Sequence, residues 1–343
     1  MSRVYVSLSR KPALNFALEE RLLSELKDGD WLLLLYQNEP SIVVGRFQNP
    51  WNECRTGLAR REGIGVYRRI SGGGTVVHGP GNLNFAFLSG SPDLRREENL
   101  ADIVAALNGL GPKLSINSRC DLVARSAPHG GAEFKVSGSA FRRSGGRAMH
   151  HGTLLVNADT LRIKRLLTRP PRQLKIRGVQ SLPSSVMNLT GLAPGITISA
   201  VIDALATQWG AASGPTTIDP RTFLNEPIFK SALEKHESAA WVWRKTPPFR
   251  ERFAYGKLPE GFPLELEIRN GRIFSAMFSD LKRGFTPQTE FLSGLDYQGD
   301  SILDAGEFNS PPWLETLARI VDGDWDALSL DSIRNYPYHN GYL

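Results

Sequence analysis

Leu14, Leu18, Leu22 and Leu26 recur every fourth residue behind Pro12, a spacing that predicts a helix over 12–27 with the proline in its first turn. The period then changes. Apolar runs at 31–36 and 41–45, parted by Asn38-Glu39-Pro40, predict two strands joined through a turn. A short helix is expected over 58–62, and Val66-Tyr67-Arg68 reads as a strand. Leu83, Phe85 and Phe87 alternate with Asn84 and Ala86, which predicts a strand with one buried face. Leu100, Ile103, Val104, Leu107 and Leu110 mark a helix over 98–110, and strands follow near 113–117, 120–124, 133–137 and 152–156. Residues 196–210 read as a helix capped by Ser199 and ended by Gly210.

Many short strands interrupted by a few helices, without regular βαβ alternation, predict an α+β fold built on a mostly antiparallel sheet. A second, small α/β unit is expected after Lys245-Thr246-Pro247-Pro248 breaks the chain. There Leu264, Leu266 and Ile268 alternate, Asn270-Gly271 supplies a type I′ turn, Ile273 starts the return strand, and a helix near 311–321 covers the hairpin. The expected domains are therefore 1–244 and 245–343.

Composition narrows the class without choosing a function. The 343 residues are 41% hydrophobic and 22% charged, as in ordinary globular proteins. No apolar run approaches the roughly 18–20 residues that span a bilayer. The opening MSRVYVSLSRKP lacks the apolar core of a secretory signal. Two cysteines, Cys54 and Cys120, make no disulfide framework and suit a reducing compartment. The expectation is a soluble intracellular protein, cytoplasmic or, in a eukaryote, in the mitochondrial matrix, with no membrane partner. The net charge of +6 favours acidic partners. With no zinc finger, aromatic-rich RNA signature or long basic tract, nucleic acid is not expected among them.

Two segments carry the candidate chemistry. In RRISGGGTVVHGPGN (68–82), Arg68 and Arg69 offer fork-shaped donors beside Gly72, Gly73 and Gly74. Glycine permits positive φ and close approach of backbone to a ligand, but a plain hairpin turn uses it equally. In FKVSGSAFRRSGGRAMHHGTLLV (134–156), Lys135 lies in a short strand beside a Ser137-Gly138-Ser139 turn, and a basic hairpin tip leads to His150-His151-Gly152. Lys135 is read either as a solvated charge or as a functional cation. Adjacent histidines on a strand point to opposite faces, and neither HExxH nor paired CxxC spacing occurs, so zinc is disfavoured. The glycine loop is neither a Walker A motif nor a dinucleotide fingerprint, and no GxSxG elbow is present.

Taken together, RRISGGGTVVHGPGN and KVSGSAFR…HHGTLLVNAD closely resemble the lipoate-protein ligase family, which includes the lipoyltransferases. Agreement extends to Asn15-Phe16-Ala17-Leu18-Glu19-Glu20, the run Val44 to Cys54, Val186-Met187-Asn188-Leu189 and Trp241-Val242-Trp243, and so covers nearly the whole chain. The resemblance implies a biotin/lipoyl ligase-type catalytic domain, related to class II aminoacyl-tRNA synthetases, with a small C-terminal accessory domain. It implies activation of lipoate with ATP and Mg²⁺ to lipoyl-AMP. Transfer to one lysine on the lipoyl domains of 2-oxoacid dehydrogenase E2 subunits, or on the glycine cleavage H protein, would follow. By resemblance Lys135 contacts the carboxylate and α-phosphate oxygens, and Arg69, Gly74, Thr75, Val76, Val77, Arg119 and Thr153 lie along ATP or lipoyl-AMP. Ser71, Gly72, Gly73, His78, Gly138 and His151 shape the lipoate pocket, and Asp121 is the Mg²⁺ candidate.

The chain departs from its relatives at Lys11 and Gly79, each in place of Asp, at Val77 in place of an aromatic residue, and at Cys120 where bacterial ligases carry Arg-Asn-Asp. The Ser-Leu-Pro-Ser-Ser-Val run at 181–186 leans toward the transferases, so the alternative is a lipoyltransferase fed with preformed lipoyl-AMP. A cysteine-thioester octanoyl transferase is disfavoured because Cys54 matches a non-catalytic cysteine and Cys120 is outside that signature. Biotin ligation is disfavoured by the missing GRGRxGR-type loop, and a binding-only protein by the retained Lys135.

Overall fold

The computed structural model describes residues 3–126, 131–168, 173–176, 178–211, 214–253, 264–278, 289, 292–304 and 312–322. In chain order the strands are β1 (Arg3–Ser7), β2 (Trp31–Tyr36), β3 (Ser41–Val44), β4 (Gly65–Arg68), β5 (Val76–His78), β6 (Asn82–Ser89), β7 (Ser115–Ile116), β8 (Leu122–Ser126), β9 (Ala132–Ser144), β10 (Arg147–Leu155), β11 (Gln173–Ile176), β12 (Thr216–Ile218), β13 (Phe249–Phe253), β14 (Leu264–Arg269) and β15 (Arg272–Phe278). The fold is α+β, and its largest sheet has the order β12-β1-β2-β6-β10-β9-β8-β7. Only β12–β1 and β1–β2 pair in parallel in that sheet; the remaining pairs are antiparallel. A three-stranded sheet, β4-β3-β5, presents the glycine loop, which joins β4 to β5.

Both faces of the large sheet are covered. On one face Phe85, Phe87, Leu154 and Val136 pack with Leu100, Ile103 and Leu107 of the helix Arg96–Asn108 and with Val201 and Leu205 of the helix Ile198–Gln208. On the other lies the helix Pro12–Glu25, against β6, β10 and the helix Pro227–Glu237. Central β6 is consequently buried at all eight positions, not on alternate ones as its pattern predicts. The alternation records polarity, with Asn84 donating to the Tyr36 carbonyl at 3.1 Å on the second covered face.

Two other local expectations are corrected. The helix near 198 is capped by Thr197, whose Oγ1 accepts from the Ala200 N–H at 3.1 Å, and Ser199 lies inside it. Ser137-Gly138-Ser139 is not a turn: β9 runs unbroken through it, and the turn comes at Gly145-Gly146, both at positive φ.

The chain forms two compact units, one of residues 1–46, 67–164 and 181–238, the other of 47–66, 165–180 and 239–343, where the sequence suggests a division at 244/245. In the second unit the sheet β11-β13-β14-β15 packs Leu264, Leu266, Ile268 and Ile273 against Leu314, Leu317 and Val321 of the helix Pro312–Val321. Asn270 and Gly271 turn the hairpin at φ 51° and 67°, as a type I′ turn requires. Trp51 is 1% exposed and shares that core with Trp243, Phe249 and Tyr297, which is why residues 47–66 belong there. No helix among the described residues is long and apolar enough to cross a membrane.

Gly152 lies opposite Phe85 on one side and Ser139 on the other. A Cβ at this position would stand 2.4 Å from the Gly138 carbonyl oxygen and 2.5 Å from the Phe85 ring. Gly152→Ala is therefore expected to destabilise the protein by about 1–3 kcal/mol, read as a lower urea midpoint with unchanged m-value.

Candidate functional site

β4 ends at Arg68 and delivers two arginines to the glycine loop, but neither fork points outward. Arg68 is fully buried and donates to the carbonyls of Gly45 and Arg46 at 3.0 and 3.1 Å. Arg69 Nη2 donates to Gly72 O at 2.6 Å and Gly74 O at 2.7 Å, Nη1 to Val43 O at 3.2 Å, and Nε to Ser71 Oγ at 3.0 Å and Gly72 O at 3.1 Å. One planar guanidinium thus holds the loop from inside, a geometry an ammonium cannot copy. Burial lowers the Arg69 pKa to about 10, with Tyr36 and Glu19 partly opposing, so it stays charged at neutral pH.

Of the three glycines only Gly73 takes positive φ, at 83°. It sits against β9, where an added Cβ would lie 3.4 Å from the Ala140 Cβ. Gly72 faces open space, and Gly74 is pressed against Ser181. Beyond them Val76, Val77 and His78 pair with Val43, Ile42 and Ser41 of β3.

β9 carries the other half of the site. A register shift between Leu122 and Val123 leaves Val136 as an extra residue in β9: Leu122 pairs with Ser137, and Val123 with Lys135. Such a bulge re-aims the side chain beside it. Lys135 accordingly turns toward Gly138, where a Cβ would stand 3.0 Å from its Cε and Nζ. Glycine at 138 makes room for the ammonium, and Gly138 N–H approaches Thr153 Oγ1 at 3.4 Å. Lys135 Nζ pairs with Asp121 Oδ1 at 2.8 Å, and Arg119 Nε lies 3.6 Å from Asp121 Oδ2. The tight turn before Asp121 puts Cys120 at φ 58°, a left-handed conformation in which asparagine is enriched.

Where β10 leaves β9 at Leu154–Ser137, residues 185–187 take its place: Lys135 N donates to Ser185 O at 2.9 Å and Met187 N to Lys135 O at 3.0 Å. The same strap reaches the glycine loop, where Ser181 Oγ accepts from Thr75 N at 2.8 Å, and Arg119 Nη2 approaches Ser184 Oγ at 3.4 Å. Glycine loop, Lys135 strand and strap are thus joined by direct contacts within one compact unit.

The adjacent histidines do face opposite ways. His150 lies among Phe85, Phe87 and Phe141, with Asn99 and Ser139 as hydrogen-bond partners. His151 turns to the site, 2.6 Å from Ser71 Oγ and 3.0 Å from Glu19 Oε1. Tyr36 O–H also donates to Glu19 Oε1, at 2.9 Å. His78 meets Asn38 at 2.8 Å, and Asn38 accepts from Asn15. Glu19, Tyr36, Asn38 and Ser181 escape the sequence reading of the site. The polar Asn15 and Glu19 on an otherwise apolar helix stretch were the available signal.

Asp121 is a poor fit to a protein-held Mg²⁺ ion. Its carboxylate is already matched by Lys135 and Arg119, and among the described residues no group of three or more His, Cys, Asp or Glu side chains could hold a metal.

Residues 11–210 match the family model described as the lipoyl protein ligase A/B catalytic domain. Among solved structures, P. falciparum LipL1 in complex with lipoate is 20% identical at a TM-score of 0.60, covering 94% of this chain and 99% of that one. The T. acidophilum bi-partite lipoate protein ligase, studied with its E2 lipoyl domain, is 21% identical at 0.55, over 70% of this chain and 95% of that one. A lipoate-protein ligase A bound with ATP is 21% identical at 0.56, over 70% and 98%.

Burial lowers the His78 pKa to about 3, with Arg69 and His151 adding to the effect, and burial likewise lowers His150 to about 3. Unfolded histidines take up a proton near pH 6.5, so between these values the unfolded state binds more protons and stability falls as pH falls. Each histidine is expected to add a slope of up to about 1.4 kcal/mol per pH unit in this window. Urea unfolding of the wild type and of His78→Gln from neutral pH toward 4 should show the shallower slope in the variant.

Proposed function

We infer, for a chain that belongs to the lipoyl protein ligase A/B catalytic-domain family, that it activates lipoate with ATP to lipoyl-AMP and passes the acyl group to a lysine on a lipoyl domain. The observation that carries the reading is the meeting of Lys135 with the glycine loop through the 181–187 strap. Lipoate and ATP in two similar structures, and an E2 lipoyl domain with a third, support the choice of substrates and acceptor.

Attack of the lipoate carboxylate on the α-phosphate, with pyrophosphate leaving, brings two anions together, so the protein must supply positive charge and alignment. Lys135 is the suitable cation: Asp121 holds it in place, yet its side chain keeps 27% exposure for a ligand oxygen to reach. Arg69 contributes indirectly, since its donors shape the loop over which the acyl chain would lie. Gly72, open on its outer side, lets that chain approach the backbone. Thr75 N–H would exchange Ser181 Oγ for a phosphoryl oxygen as the strap yields. Val76, Val77, Arg119 and Thr153 would follow along the nucleotide, with Ser71, His78, Gly138 and His151 around the acyl group. In the second step the acceptor amine attacks the acyl carbon and AMP leaves.

Lipoyltransferase activity on preformed lipoyl-AMP is the second reading, favoured by the Ser181 contact that occupies the Thr75 amide. Purified protein incubated with lipoate, labelled ATP and apo H protein should form AMP and lipoylated acceptor. Transfer that appears only when lipoyl-AMP is added, and never with lipoate and ATP, would exclude the ligase. Lys135→Ala is expected to lower kcat/KM by roughly 100-fold or more with the fold intact, and unchanged activity would overturn the lysine's role.

A further inference from the structure

Five side chains form a buried chain beneath the glycine loop: Tyr36 and His151 both meet Glu19 Oε1, His151 meets Ser71 Oγ, and Arg69 Nε donates to Ser71 Oγ. Tyr36, Glu19, His151 and Ser71 are 3%, 1%, 5% and 1% exposed, so solvent competes for none of these bonds. The links come from helix Pro12–Glu25, β2, β10 and the loop.

A proton count at Ser71 gives the chain its meaning. A serine hydroxyl has one donor and two acceptor positions. With His151 neutral and its Nδ1–H given to Glu19, Nε2 can only accept, so the Ser71 proton is spent on the imidazole. With His151 protonated, Nε2–H donates to Ser71, whose two acceptor positions are filled by His151 and Arg69. Its own proton is then no longer held by the imidazole.

We propose that Glu19 and Tyr36 are positioning residues which, through His151, decide whether Ser71 donates a hydrogen bond to an oxygen of the bound acyl substrate. The proposal deepens the ligase reading and rests on it. Lipoate binding then takes up a proton, and affinity is highest when His151 carries one. The charged and titratable groups facing His151 are Glu19 from the helix, Tyr36 behind it on β2, Arg69 in the loop and His78 on β5; His150 is its strand neighbour on the opposite face. The Glu19 carboxylate lies 3.0 Å from His151 Nδ1, and the Arg69 guanidinium reaches the far side of the ring through Ser71 Oγ. The Tyr36 hydroxyl spreads the charge of Glu19 and so weakens its pull.

Lipoate affinity and KM measured between about pH 6 and 9 test this, with thermal unfolding confirming that each variant is folded. The wild type should lose roughly tenfold in affinity as pH rises, with kcat changing less. Glu19→Gln should move that loss to lower pH and Tyr36→Phe to higher pH, while Ser71→Ala and His151→Gln bind weakly without pH dependence. Opposite displacements separate positioning from general structural damage. A flat wild-type profile, or Glu19→Gln and Tyr36→Phe shifting the same way or not at all, overturns the relay while leaving the ligase reading intact. No lipoate binding at any pH overturns that reading, and the relay with it.

Discussion

The site depends on one buried guanidinium. A run of three glycines has little conformational preference of its own and would sample many shapes in solution. Arg69 removes that freedom by donating to Gly72 O, Gly74 O, Val43 O and the Ser71 hydroxyl. Its charge is desolvated, which is costly in isolation, but the carbonyl dipoles and the nearby Glu19 offset the loss. A loop shaped from inside leaves open space beside Gly72.

The opposing wall is built by an irregularity. In a regular strand Lys135 would lie on the face opposite Gly138 and Ala140. One extra residue at Val136 reverses this, and the 181–187 strap then holds the Lys135 backbone at both its N–H and its carbonyl. The strap also closes on Thr75, so the cation and the loop are mechanically linked. Movement of the strap would be felt by both.

Much of the fold was legible because its signals are local. The fourfold leucine spacing of 14–26, the alternation at 264–268 and the Asn270-Gly271 turn each specify one element, and each appears where expected. What the sequence hid was non-local. Asn84 and Glu19 are buried on a second covered face, whereas in a linear pattern they read as residues turned to solvent. Arg68 and Arg69 look like ligand forks, and only the tertiary structure shows them turned on the chain's own carbonyls. The bulge at Val136 has no residue signature, and residues 47–66 join the second unit through Trp51, far from it in sequence. Resemblance pointed to the candidate segments; three-dimensional packing shows how they are held together.

In the proposed reaction the glycine loop and Lys135 grip a single acyl phosphate. The most direct measurement is a crystal structure with a non-hydrolysable lipoyl-adenylate analogue. A phosphoryl or acyl oxygen should lie within about 3 Å of Lys135 Nζ, with the acyl chain running over Gly72 and the Arg69 clasp unbroken. An analogue bound away from either segment, or one that seats only after Arg69 releases the loop carbonyls, would contradict it.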